Sequence, residues 1–238
     1  MRHISPLRYP GGKSCIHPFI SSLIDENRLQ HFSYAEPYAG GSGLALRLLF
    51  ENVVDSIHLN DLDRSIYAFW HSILNETEAF CDWLSNVSID MAQWQHSHEI
   101  QGRKETADLL ELGKSTFFLN RTNVSGIIKG GPIGGYAQTG KYKIDARFNR
   151  DALIHRIKSI ATRSGDIHIS NLDGIEFIKM LNGKAEDIFI YLDPPYYKKG
   201  SSLYMNYFQE QDHIALRDAL KTIRKPWIVS YDYNGFIL

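Results

Sequence analysis

The chain has two cysteines in 238 residues, Cys15 and Cys81. They lie too far apart for a disulfide framework or a paired-thiol metal site, so both are expected as buried small apolar residues. It also lacks any apolar run close to the roughly eighteen residues that span a bilayer. The N-terminus has no charged, then apolar, then small-residue signal pattern. A cytoplasmic protein with no membrane segment is the expectation. His96, His98 and Glu99 have no partnering cysteine pair, which excludes a zinc deaminase pattern and leaves them as surface residues with no metal. Neither sign of charge dominates, with 26 Lys and Arg against 27 Asp and Glu. Internal repeats and low-complexity tracts are missing, which excludes solenoids and disordered tails.

What is present is a globular composition, 43% hydrophobic and 12% aromatic, with charge sorted along the chain. Between Glu51 and Glu111 twelve acids stand against three bases; between Lys114 and Arg163 ten bases stand against two acids. A basic stretch rich in Gly, Asn, Thr and Tyr suits phosphate contact, although a solvated face balanced by its acidic neighbour would look the same.

Periodicity and punctuation divide the chain into three zones. In the first, Tyr34 to Glu36 reads as a strand end, Gly40 to Gly43 as a turn, Leu44 to Phe50 as a helix and Ile57 to Asn60 as a second strand, a unit expected to pair in parallel. In the middle, Ile66, Phe69, Trp70, Ile73 and Leu74 recur at helical spacing. Loops or a hairpin are predicted over 120–148, then a helix over 151–162. The third zone returns to strands at 166–170, 187–192 and 227–230, with helices at 174–181 and about 209–223. We therefore expect a doubly wound α/β sheet interrupted by a mainly helical insert, with ligands at the carboxyl ends of the strands. Gly40 to Gly43, Asp61, Asp173 and Asp193 each follow a predicted strand, so one crevice could collect them.

The glycine turn lets backbone approach a ligand, and Asp61 at the next strand tip could accept hydrogen bonds from ribose hydroxyls. The dinucleotide spacing fails, because Leu46 stands where a third glycine belongs, and Pro10 to Ser14 is no phosphate loop, because Leu7 stands where that motif needs glycine. The sharpest signal is Asp193-Pro194-Pro195-Tyr196 after an apolar strand. Each proline fixes φ, removes an N–H and holds the preceding residue extended. Such a turn presents acceptors: the Asp193 carboxylate and the Pro194 carbonyl could take both hydrogens of an amino group while Tyr196 stacks on its ring. An aromatic amine is a poor nucleophile, so aiming its lone pair is the catalytic task.

With these residues in view, the chain resembles the D12 family of adenine-N6 DNA methyltransferases over nearly its whole length. Leu7 to Lys13 resembles the family's aromatic-x-Gly-Gly-Lys opening, which implies cofactor contacts at Tyr9 and Lys13. Glu36-Pro37-Tyr38-Ala39-Gly40-Gly41 resembles its first cofactor loop, with Tyr38 and Ser42 as departures; Leu59-Asn60-Asp61 resembles the second, with Asp61 at the ribose; Asp173 falls at a contact with the cofactor's adenine. Asp193, Pro194, Pro195 and Tyr196 match the catalytic loop, with Asp193 also at the cofactor. The resemblance implies a Rossmann-like catalytic domain at 1–63 and 162–238 around a target-recognition insert at 64–161. Arg8, Asn120, Arg121, Lys141, Tyr142 and Lys143 are then expected at DNA.

It further implies S-adenosyl-L-methionine as cofactor, double-stranded DNA as partner, a monomeric or weakly associating chain, and transfer to N6 of a flipped-out adenine without a metal. Methylation of cytosine N4 or a glutamine amide is the alternative chemistry. Family members usually continue into a final antiparallel pair, whereas this sequence ends at Tyr233 to Leu238, so a DNA-binding remnant with an exposed sheet edge is the alternative of another class.

Overall fold

The computed structural model describes residues 4–8, 13–195 and 208–231. The chain divides into two compact units, one of Lys13–Asp63 with the segment from Asp166 onward, the other of Arg64–Gly165 with residues 4–8.

The first unit is a five-stranded parallel sheet among the described residues: β1 (Ser33–Glu36), β2 (Ile57–Asn60), β3 (Ile167–Ser170), β4 (Ile188–Leu192) and β5 (Trp227–Val229). The spatial order is β3-β2-β1-β4-β5. Central strands β1, β2 and β4 are buried at every position; β4 is the unbroken apolar run expected of a strand covered on both faces, while β1 and β2 also bury Glu36, His58 and Asn60. Register pairs Tyr34 with Ile57 on one side and with Phe189 on the other. Helices α1 (His17–Glu26), α2 (Gly43–Phe50) and α8 (Gly174–Asn182), and the helix Glu210–Leu220, complete this unit. Phe177, Ile178 and Leu181 of α8 join Ile188, Ile190, Leu216 and Leu220 in one core. The order reverses between β1 and β4, and the gap beyond the carboxyl ends of two strands at such a reversal is where open α/β sheets bind ligands.

The second unit is mainly helical: α3 (Arg64–Asn75), α4 (Thr77–Asn86), α5 (Met91–Gly102), α6 (Leu109–Thr122) and α7 (Arg150–Ala161). Its centre is aromatic, with Phe69 stacked on Phe117 at 5.7 Å and Phe80 set edge-on to both. Gly113 lets α3 and α6 close up, since a Cβ there would lie 2.7 Å from the Ala68 carbonyl oxygen. The side chains of Asp90 and Asp108 cap α5 and α6 by accepting from backbone N–H groups of their first turns.

Three expectations change. Cys15 is exposed, on a single 3-10 turn (Lys13–Ile16); only Cys81 is buried. Residues 120–122 are the last turn of α6 rather than loop, because that turn carries buried side chains on through Thr122. Residues 4–8, read from sequence with the catalytic part, group with the insert, because Arg8 is tied to Asn120 and Asn123.

Candidate active site

In the sheet unit a single buried asparagine organises the strand tips. Asn60, the last residue of β2 and 1% exposed, donates to the carbonyls of Pro37 and Leu172, each at 3.0 Å, and accepts from the Leu172 N–H at 2.9 Å. Its own carbonyl accepts from Ala39 N–H at 2.8 Å. The loops after β1, β2 and β3 are thereby joined. Asn171 adds a second tie, donating to the carbonyls of Asp61 and Leu62.

The glycine turn is held against Asp61, whose Oδ2 accepts from the Gly40 N–H and whose Oδ1 accepts from the Asp63 N–H, both at 2.9 Å. Gly40 at φ +47° and Ser42 at φ +48° are both left-handed, a conformation glycine takes freely and serine does not. Ser42 thus carries the left-handed step into α2, and Gly41 lies buried between the two. Tyr38 packs against Gly174, where a Cβ would sit 2.7 Å from its ring, and lies edge-on to Phe208 at 5.7 Å. Its hydroxyl is buried with no hydrogen-bond partner among the described residues, and burial raises its pKa. Asp173 caps α8, accepting from the N–H groups of Ile175 and Glu176.

At the reversal of strand order stand two carboxyls. Glu36 ends β1, 6% exposed, and accepts a hydrogen bond from the Tyr34 hydroxyl at 3.0 Å. Burial pushes its pKa up to about 8, against the lowering effect of Tyr34. Asp193 follows β4, and its Oδ1 accepts from Lys13 Nζ and from Ser230 Oγ, both at 3.0 Å. Burial outweighs these two partners and leaves the Asp193 pKa raised. Among the described residues no hydrogen bond engages Asp193 Oδ2 or the carbonyl of the buried Pro194. Pro195 follows half-buried. Tyr9 and Tyr196, the expected cofactor and stacking rings, lie outside the described residues. Lys13, Glu36, Pro37, Tyr38, Gly40, Gly41, Asp61, Asp173, Asp193 and Pro194 all lie in this one unit. Sequence reading met Asn60 and Asn171 only as motif neighbours of Asp61 and Asp173 and gave no role to them or to Ser230; a polar residue closing a strand was the available signal for Asn60 and Ser230.

In the helical unit the expected DNA residues separate into two groups. Asn120 is 1% exposed and spends its amide on the Arg8 N–H, the Arg8 carbonyl and the Gly126 carbonyl. It cannot also read a base edge, and Thr122 beside it is 0% exposed. Asn120 fixes the segment carrying Arg8 instead. Arg121 is half-buried, and burial, reinforced by Arg8, Arg156 and Arg147, lowers its pKa to about 10. Lys141, Tyr142 and Lys143 are exposed, with Lys141 Nζ over the Tyr142 ring at 5.7 Å. The same stretch exposes Val124 and Tyr136, large apolar side chains that the sequence did not single out. Among the described residues no group of three or more His, Cys, Asp or Glu could hold a metal ion, and no helix is long and apolar enough to cross a membrane.

Residues 9–237 match the family model for D12 class N6 adenine-specific DNA methyltransferases. The chain is also similar to Type II methyltransferase M.CviBI of Paramecium bursaria Chlorella virus NC1A, 23% identical over 213 residues that cover 86% of this chain and 75% of the relative.

Proposed function

The chain belongs to the D12 class of N6 adenine-specific DNA methyltransferases, and from that premise we propose that its strand-tip loops take the methyl group from S-adenosyl-L-methionine and direct it to N6 of an adenine turned out of the duplex. The observation that carries this reading is the pair of acceptors after β4. Asp193 Oδ2 and the Pro194 carbonyl lie on a turn stiffened by two prolines, while Lys13 and Ser230 hold Oδ1. An aromatic amine donating one hydrogen to each oxygen is drawn toward a pyramidal nitrogen whose lone pair leaves the ring's π system and points at the methyl, and orientation of this kind supplies much of the rate of a methyl transfer. Tyr196 is proposed as the ring on which the adenine stacks, at a cost of a few kcal/mol for unstacking.

The residues present fit the methyl donor. A buried Tyr38 hydroxyl, without a partner among the described residues and beside Asp173, offers an aromatic wall with a polar atom, and the left-handed turn at Gly40 opens backbone next to an Asp61 already oriented by two N–H groups. Asp61 would hold ribose hydroxyls, Tyr38 and Asp173 the base, and Tyr9, Lys13, Glu36, Pro37 and Gly41 the remainder. When bound, this group supplies the electrophilic methyl. The protein's part is to fix the amine, exclude water and let the proton leave once the new bond has formed.

We assign the insert, 64–161, together with Arg8, to duplex binding, with Arg121, Lys141, Tyr142 and Lys143 as the insert's contacts, in a cytoplasmic chain that is monomeric or weakly associating. The likeness to a Type II methyltransferase supports a restriction-modification role. Incubation with unmethylated duplex and methyl-labelled S-adenosylmethionine, followed by sequencing for modified bases, tests the reading. N6-methyladenine at one short sequence is expected. N4-methylcytosine, or binding of both ligands with no modified base, would overturn it.

A further inference from the structure

In the helical unit, four arginines lie within electrostatic reach of one another with no acid partner among the described residues. Arg121 donates from Nε to the Arg147 carbonyl at 2.8 Å, makes a second bond to that oxygen through Nη2, and reaches the Pro6 carbonyl at 3.4 Å through Nη1. Arg8 Nη1 donates to the Asn123 carbonyl at 3.0 Å, and Arg156 Nη1 to the Ser5 carbonyl at 3.5 Å. Arg8, Arg147 and Arg156 all act electrostatically on Arg121, and Arg147 also on Arg8. Among the described residues no carboxylate pairs with any of the four; what acts on Arg121 is the other three arginines.

This is an unusual use of charge. A half-buried guanidinium normally gains a carboxylate, because loss of hydration must be offset. Here carbonyl dipoles satisfy some N–H groups while like charges accumulate. Arg8, Arg121 and Arg156 are half-buried and Arg147 is exposed, so the cluster has a solvent-facing side from which an anion could enter. The Asn120 amide, locked on both backbone groups of Arg8, holds that arginine in place before any ligand arrives. A tetrahedral anion with several oxygens matches forked N–H donors, and arginine is the residue suited to it.

We propose that Arg8, Arg121, Arg147 and Arg156 form a preorganised seat for one phosphate of the DNA backbone, with Arg147 and Arg156 as members that no sequence motif indicated. Only the source of the phosphate rests on the methyltransferase reading; the anion chemistry rests on the cluster. The seat carries no base information, so it positions the duplex and leaves specificity elsewhere.

The test uses the full chain and an Arg147→Ala/Arg156→Ala double variant, which leaves the Arg147 carbonyl available to Arg121. Anisotropy of a labelled duplex is measured from about 50 to 200 mM salt, where each neutralised phosphate contributes about 0.9 to the slope of log K against log salt. The variant is expected to lose about that much slope and to weaken equally on target-bearing and unrelated duplexes. Its melting temperature in low salt should equal or exceed that of the parent, because like charges have been removed. Millimolar inorganic phosphate, at matched ionic strength, should raise the melting temperature of the parent alone. An unchanged slope overturns the proposal, and a phosphate-dependent melting shift in that case would assign the seat to a free anion. A parent chain that binds no duplex would sink the DNA reading itself, while the phosphate melting arm still reports on the seat.

Discussion

Asn60 and Asn120 are each 1% exposed, and each spends its side-chain amide on the backbone of neighbouring loops. The loops they hold carry opposite charge. Around Asn60 the strand tips present Asp61, Asp173 and Asp193, with Lys13 as counter-charge to Asp193, beside a Glu36 carboxyl that burial keeps protonated up to about pH 8. Around Asn120 stand Arg8 and Arg121, with Arg147 and Arg156 near Arg121. Irregular backbone needs buried partners in both places, since an unmade hydrogen bond is costly. A short amide with two donors and an acceptor serves either unit. The charge around it differs to suit the proposed ligands: acceptors where hydroxyls and an amine are proposed to bind, donors where a phosphate is.

The largest expected effect breaks the acidic half of this comparison. Asp193→Ala should lower the methyl-transfer rate by about 10²–10³-fold, the usual loss when one preorganised polar partner of the reacting group is removed. Circular dichroism should show the fold retained. A rate within a few fold of the parent would remove Asp193 from the chemistry.

Next, the two asparagines can be set against each other. Asn60→Ala strands two carbonyls and an N–H among three loops and should cost about 3 kcal/mol in urea unfolding. Asn120→Ala loses as many bonds, two of them to the backbone of the half-buried Arg8, and a similar cost of about 3 kcal/mol is expected. The functional losses should also separate, with donor affinity falling in the first variant and duplex affinity in the second. Equal loss of both affinities in both variants would mean that the asparagines support the fold and nothing more.

The last test, spread over several pH units, concerns Glu36. Burial holds the Glu36 carboxyl at about 8, above its ordinary 4.5. Between those values the folded chain binds a proton that the unfolded chain has released. The stabilisation is therefore complete below the unfolded pKa and is lost as pH rises through the folded one, by at most about 1.4 kcal/mol per pH unit. Glu36→Gln keeps an acceptor for the Tyr34 hydroxyl and should flatten the decline in melting temperature from pH 5 to about 8. An unchanged pH profile would show that Glu36 is ionised throughout.

Much of the sheet unit was legible because its signals are local. Short apolar or alternating runs ended by polar, glycine or proline residues gave β2 its observed ends and the other four strands theirs to within a residue, and Asp193-Pro194-Pro195 announces a stiff turn wherever it folds. The reading failed where burial depends on distant partners. Asn120 and Arg121 look like surface residues until a segment over a hundred residues away in sequence, carrying Arg8 and Pro6, packs on them. Ser230 gains meaning only because β5 lies beside β4. Cys15 was misread because composition ranks cysteine as a buried residue, while its single helical turn leaves it at the surface.

The sharpest test of the account is a double-mutant cycle on the amine. Once the target adenine is mapped, the affinity of parent and Asp193→Ala is measured for duplexes carrying either adenine or unsubstituted purine, which lacks the amino group, at that position. The cost of turning out each base is common to both proteins and cancels. If Asp193 holds the amine, the parent should favour adenine relative to the variant by a coupling of about 1.5–3 kcal/mol. A coupling of zero, with both proteins binding both duplexes, would contradict it.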